Sequence, residues 1–200
     1  MVQVKICGLM TPNDALIVNA AHADFAGFVF APSRHQISPA TALLLKQILL
    51  PEISTVGVFV NESIDEILNI FKMGLIDVVQ LHRKSNVTEI ATLQKMGLKV
   101  IQGVDEQSTT FNTNADYILF DRSRGSGKKI DLTYLPHPNQ PFMLAGGLTP
   151  DNVYQIVKTM SPTIVDVSSG VETNQIKNKQ KICQFIKNAK GATYNEQFIQ

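Results

Sequence analysis

Phe142-Met143-Leu144-Ala145-Gly146-Gly147-Leu148-Thr149-Pro150-Asp151-Asn152 holds, in order, an apolar strand, a glycine turn and a helix start. An apolar run with no polar alternation is what a strand buried on both faces carries. The paired glycines allow a tight turn. Thr149 and Pro150 supply an N-cap and a proline at the first helical position. Similar wording stands near the start of the chain, in Lys5-Ile6-Cys7-Gly8-Leu9-Met10-Thr11-Pro12-Asn13-Asp14. Strand, turn and capped helix therefore recur at both ends of the chain.

Working outward from these units, apolar runs at 2–6, 26–30, 55–60, 78–81, 99–103, 117–120, 142–145 and 164–167 make eight strand candidates. Helix signals lie between them. Ser38-Pro39 repeats the capping device. Ile64, Ile67, Leu68 and Phe71 form one helical stripe, closed by Gly74. Asn86 and Glu89 resemble a capping box ahead of Ile90 and Leu93. Ile176, Ile182, Phe185 and Ile186 mark the last helix. The stretch 105–114 is too polar for a packed helix and reads as a loop.

Alternating strands and helices imply a parallel sheet, either closed or open. The polar residues that look chemical follow strands one, two, four, six, seven and eight. In an open sheet of this size the outer strands would lie roughly 30 Å apart, at about 4.8 Å per strand. Residues so placed could not share a ligand, whereas a barrel brings every strand end to one mouth. An open sheet also calls for a Gly-x-Gly-x-x-Gly turn after a strand, and none is present. The sequence therefore predicts an α/β chain folded as one compact (β/α)8 TIM barrel over residues 1–190, with one or two helices weak or missing. Residues 191–200 read as a loosely held tail.

Bulk properties narrow the function. At 200 residues and 44% hydrophobic the chain can bury a sizeable core. A net charge of +1 without a basic run gives no footprint for nucleic acid. No apolar stretch approaches a membrane span, and the N-terminus carries no export signal. A cytoplasmic protein with reduced Cys7 and Cys183 is expected. His22, His35, His82 and His137 form no metal-ligand spacing. A small phosphorylated substrate is the expected partner, bound by a monomer or a homodimer.

Several residues carry possible chemistry. Cys7 closes the first strand, close to a helix N-terminus that can lower a thiol pKa. A buried structural cysteine would leave the same trace. Asp121 ends the apolar Tyr117-Ile118-Leu119-Phe120, where a carboxylate is costly unless used or paired. It could instead cap loop amides. The following Gly125-Ser126-Gly127-Lys128 is no nucleotide loop, because Lys129 stands where Ser or Thr is required. Gly146 and Gly147 after strand seven, and Ser168, Ser169 and Gly170 after strand eight, suit a phosphate cradle. Two empty tight turns are the alternative. Arg34 beyond strand two can clamp a carboxylate or simply be solvated. Gln80 and His82 lie on one side of strand four by alternation, and either line the pocket or hydrogen-bond within the barrel.

Lys5-Ile6-Cys7-Gly8, Gln80-Leu81-His82, Leu119-Phe120-Asp121, Leu144-Ala145-Gly146-Gly147-Leu148 and Asp166-Val167-Ser168-Ser169-Gly170-Val171-Glu172 together resemble phosphoribosylanthranilate isomerases. The resemblance runs in order from strand one to the last helix. It implies an Amadori rearrangement of N-(5-phosphoribosyl)anthranilate in tryptophan biosynthesis, without a cofactor. By that likeness Asp121 is the general acid and Cys7 the general base. The chain departs from the family at Arg83, at 124–127, at Leu132, and at Gln175 and Asn178, where Gly and Asp are usual. Against the family's arginine after strand two, an ungapped register selects His35 and a one-residue deletion selects Arg34. Arg34 is preferred because it pairs with a carboxylate at any pH. A histidine-pathway phosphoribosyl isomerase is the rival enzyme, but that barrel has Asp where this chain has Cys7. A non-catalytic phosphate-binding barrel is the other alternative.

Overall fold

The computed structural model describes residues 1–83, 85–104, 113–121 and 138–194. Strands β1 (Gln3–Cys7), β2 (Phe25–Val29), β3 (Ser54–Phe59), β4 (Val78–Leu81), β5 (Lys99–Gly103), β6 (Tyr117–Asp121), β7 (Phe142–Ala145) and β8 (Ile164–Val167) close into a barrel in sequence order. All neighbours are parallel, and β1 closes the ring on β8, with Lys5 opposite Asp166. Helices α1 (Pro12–Ala20), α2 (Pro39–Ile48), α3 (Ile64–Lys72), α4 (Val87–Lys95), α5 (Val153–Met160) and α6 (Lys179–Tyr194) accompany the strands. A 3-10 turn over Ser169–Val171 leads into a hairpin of β9 (Glu172–Thr173) and β10 (Ile176–Lys177).

The expected strands form: four keep their expected bounds, three shift by one residue, and β6 gains one at its end. Cys7 and Asp121, read from the sequence as closing their strands, are the last residues of β1 and β6. The parity of each strand then decides which way a side chain faces. Val4, Ile6, Phe28, Val79, Leu81, Phe120, Leu144 and Val165 join the helices in one core. Phe25, Val56, Val78, Ile101, Leu119, Met143 and Ile164 fill the barrel interior. Above that plug lie Cys7, Val29, Ala31 and Val58. Both strand faces are buried, which explains the missing polar alternation.

Capping behaves as the sequence suggests at most helices. Thr11 with Asp14, and Asn86 with Glu89, form full capping boxes, and Pro12 and Pro39 occupy first turns. Gly74, at φ +72, closes α3, its N–H bonding to the Phe71 carbonyl while Leu75 N–H reaches Ile70. Thr149-Pro150 is a correction. Helix α5 starts at Val153, not at Pro150. Asn152 explains the delay: its Oδ1 accepts from Thr149 N–H and its Nδ2 donates to the Gly147 carbonyl, which turns the segment back on the glycine corner.

The polar stretch expected to be a loop lies largely outside the described residues, as do the run 125–128 and Leu132. The last helix continues to Tyr194, past the start of the stretch read as a tail. Among the described residues no helix is long and apolar enough to cross a membrane.

Candidate active site

Strand β1 sends two polar side chains into the barrel. Lys5 and Cys7 are two residues apart and share the inner face. Lys5 is completely buried, and its Nζ lies 3.1 Å from both carboxyl oxygens of Asp166 on the neighbouring strand. Two equal contacts mark an ammonium facing a carboxylate. Burial alone would discharge the lysine, but the Asp166 carboxylate and the Cys7 sulfur raise its pKa above the ordinary value. Burial pushes the Asp166 carboxyl up, with Lys5 pulling against it.

Cys7 corrects the sequence reading of its thiol. The helix after β1 was expected to lower the thiol pKa; burial instead pushes it up, and the nearest opposing influence is Lys5. The start of α1 is already occupied, because Asp14 accepts from the N–H groups of Met10 and Thr11. Room for the sulfur comes from Gly27, opposite Cys7 on β2: a Cβ there would sit 2.9 Å from both Cα and Sγ of Cys7.

Asp121 ends β6, three strands round the ring from β1, and His82 Nε2 approaches its Oδ2 at 3.5 Å. Gln80 on β4 is 2% exposed, and its Oε1 has no hydrogen-bond partner among the described residues. A buried acceptor of this kind is a place for a ligand donor. Cys7, Gln80, His82, Asp121 and Asp166 all line one cavity.

The floor of that cavity near β7 and β8 is backbone. Gly146 and Gly147 take φ values of +86 and +68, a conformation costly for any other residue. At Gly170 a Cβ would collide with the Leu148 carbonyl oxygen, so the two turns are pressed together. These glycines, with Ser168 and Ser169, line the same cavity as Cys7 and Asp121. Closely apposed turns without Cβ atoms expose main-chain groups to an anion.

This constellation can be set beside known proteins. Residues 4–188 match the family model described as N-(5'-phosphoribosyl)anthranilate (PRA) isomerase. The chain belongs to the phosphoribosylanthranilate isomerase family. An isomerase of that name from Lacticaseibacillus paracasei is 58% identical over 190 residues, covering 95% of this chain and 96% of the relative. One from Lactiplantibacillus plantarum is 44% identical over 193 residues, covering 94% and 92%. The crystal structure of the Thermus thermophilus phosphoribosyl anthranilate isomerase superposes with a TM-score of 0.85 at 28% identity, covering 95% of this chain and 99% of that one. A phosphoribosyl anthranilate isomerase solved with reduced 1-(o-carboxyphenylamino)-1-deoxyribulose 5-phosphate superposes at 0.79 with 34% identity, covering 96% and 100%.

In this isomerase Arg34 stands outside the cavity wall. Its Nη2 donates to Glu172 at 2.7 Å, and its side chain is 42% exposed. His35, the other candidate, also contacts Glu172, at 2.8 Å, with its ring over Gly8. Burial and the charge of Lys177 lower the His35 pKa. Lys177 Nζ completes the group, 2.8 Å from Glu172 and within reach of Ser168. Burial alone would raise the Glu172 carboxyl; hydrogen bonds from Lys177 and Arg34 outweigh it and hold the pKa at about 2.

Four charged residues of this group received no role from the sequence: Lys5, Asp166, Glu172 and Lys177. A signal existed for the first two. Each is a charged residue with apolar neighbours on both sides within its strand, an anomaly close to the one that singled out Asp121. Lys177 gave none, because the short hairpin that buries it has no sequence pattern.

Proposed function

We infer that this isomerase converts N-(5-phosphoribosyl)anthranilate to 1-(2-carboxyphenylamino)-1-deoxyribulose 5-phosphate with Asp121 as the acid and Cys7 as the base. One observation carries the assignment: a carboxyl and a thiol from different strands open into one cavity that ends in the glycine corners of β7 and β8.

The phosphate sits against Gly146, Gly147, Ser168, Ser169 and Gly170, which fixes the sugar by its far end. Asp121 gives its proton to the ribose ring oxygen as the C1–oxygen bond breaks, leaving an iminium between C1 and the anthranilate nitrogen. The Cys7 thiolate then takes the proton from C2. The electron pair moves into the C1–C2 bond and the iminium accepts charge at nitrogen. The resulting enolamine becomes the ketone by gaining a proton at C1 and losing one from the C2 hydroxyl. No atom is added or lost and no electron acceptor is needed. His82 orients the Asp121 carboxyl, and Gln80 offers its unpartnered oxygen to a sugar hydroxyl.

Arg34 meets the anthranilate carboxylate. A guanidinium carries five N–H donors. The contact to Glu172 engages Nη2 and anchors the side chain with other donors remaining for a ligand. The proposed assembly is a monomer or a homodimer. A phosphorylated substrate and two free thiols suit a cytoplasmic location.

Steady-state turnover of Cys7→Ala and Asp121→Asn on phosphoribosylanthranilate tests the assignment. Each change should reduce kcat by a factor of about 100 or more, the usual weight of one acid or base. Retention of parental kcat by either variant would remove that residue from the chemistry.

A further inference from the structure

The mechanism needs Cys7 as a thiolate, yet burial opposes the charged form. Something inside the barrel must supply positive charge. Three charged groups face Cys7. Lys5 lies two residues back on the same inward face of β1, Asp166 comes from the adjacent β8, and Lys177 contributes more weakly from β10. Lys5 has the strongest pull toward the thiolate, and the Asp166 carboxylate works against it.

We propose that Lys5, anchored by Asp166, is a positioning residue for the reaction: its buried ammonium is the fixed countercharge against which the Cys7 thiolate forms. The inference rests on the reading of Cys7 as the base.

The geometry gives each member a part. Lys5 is fully buried and therefore does not reorganise around a new charge. Its ammonium carries three N–H donors. Asp166 lines the reaction cavity while Lys5 does not, so the lysine is screened from substrate by its own partner. Lys5 thus acts through Cys7 rather than on the substrate. A fully buried lysine with one carboxylate is weakly justified as a stabilising feature, because desolvation offsets most of the attraction. A role in charging the adjacent thiol accounts for its presence next to Cys7.

The test uses the whole chain with Cys183→Ala, which leaves Cys7 as its one thiol. Thiolate formation is followed by ultraviolet absorbance and by the pH dependence of iodoacetamide alkylation. Lys5→Met should move the thiol titration to higher pH by roughly one pH unit or more. The acidic limb of kcat should move with it, while KM for phosphoribosylanthranilate changes little. Where Lys5→Met alone leaves Asp166 unpaired and the barrel does not fold, Lys5→Met with Asp166→Asn removes both charges. Because Lys5 outweighs Asp166 at Cys7, the double variant should also titrate above the parent. A folded single or double variant whose Cys7 titrates at or below the parental pH overturns the proposal. The two readings fail separately. Parental kcat in Cys7→Ser would end the role of Cys7 as base without altering the titration result. An unmoved titration beside an inactive Cys7→Ser would end the role of Lys5 alone.

Discussion

Gly27→Ala is the smallest change that tests whether the position of Cys7 matters. The added methyl would lie 2.9 Å from the Cys7 Cα and 2.9 Å from its Sγ. Carbon contacts are comfortable at about 3.5–4.0 Å, so roughly 0.6–1 Å must be found. The Gly27 backbone cannot readily supply it. Its carbonyl accepts from the N–H groups of Gly8 and Leu9, and its strand is paired on both sides. Cys7 moves instead. A misplacement near 1 Å at a reacting group can cost about 100-fold in rate, and overpacking a tight interior costs about 1–3 kcal/mol. For a chain of this length that lowers Tm by roughly 2–12 °C. The expected outcome is a folded protein with kcat down by about 100-fold and KM little altered, read by steady-state kinetics and a thermal melt. A Gly27→Ala protein with kcat within twofold of the parent would refute the placement of Cys7 as the base.

Three further outcomes follow from the hairpin and its neighbours. Asn174 and Gln175 form a two-residue turn with φ values of +49 and +65, the left-handed pair that favours Asn-Gly. Gln175→Gly should therefore stabilise the fold by about 0.5–1 kcal/mol, since the strain relieved exceeds the chain entropy added; a urea melt showing destabilisation would contradict the turn. Glu172, held at about 2 against an ordinary 4.5, confers stability that is complete above about pH 4.5 and lost as pH falls toward 2. Glu172→Gln should be less stable at neutral pH and decline less steeply across that acid range, and urea midpoints measured at several pH values would show an unchanged slope if the pairing were unimportant. Arg34→Ala should raise KM by roughly 10-fold or more with a smaller effect on kcat, as expected for one charged hydrogen-bonding partner; an unchanged KM places Arg34 outside the binding site.

What the sequence could and could not show follows from the range of the physics involved. Strands and capped helices are local: the Thr11-Pro12 cap and the Asn86–Glu89 box act within three residues, so both were legible. Barrel closure was legible through chemistry rather than pattern, because polar residues after many different strands can share a ligand only if the strands form a ring. Charge state was not legible. The proximity of Cys7 to a helix start is a sequence fact, but what the thiol experiences is burial plus a lysine on its own strand and an aspartate brought beside it from the far end of the chain. The partner of Arg34 was equally hidden. The arginine's reach toward the mouth follows from its place after strand two, whereas Glu172, its actual neighbour, is 138 residues away and arrives on a two-residue-turn hairpin. The missing information is pairwise and long-range, and it concerns charge. A charged residue beside apolar neighbours in a strand is its one local trace: Asp121 was read from that trace, and Lys5 and Asp166 carry a similar mark. Opposite each other on β1 and β8, they show that two such anomalies in one barrel are best read as a pair.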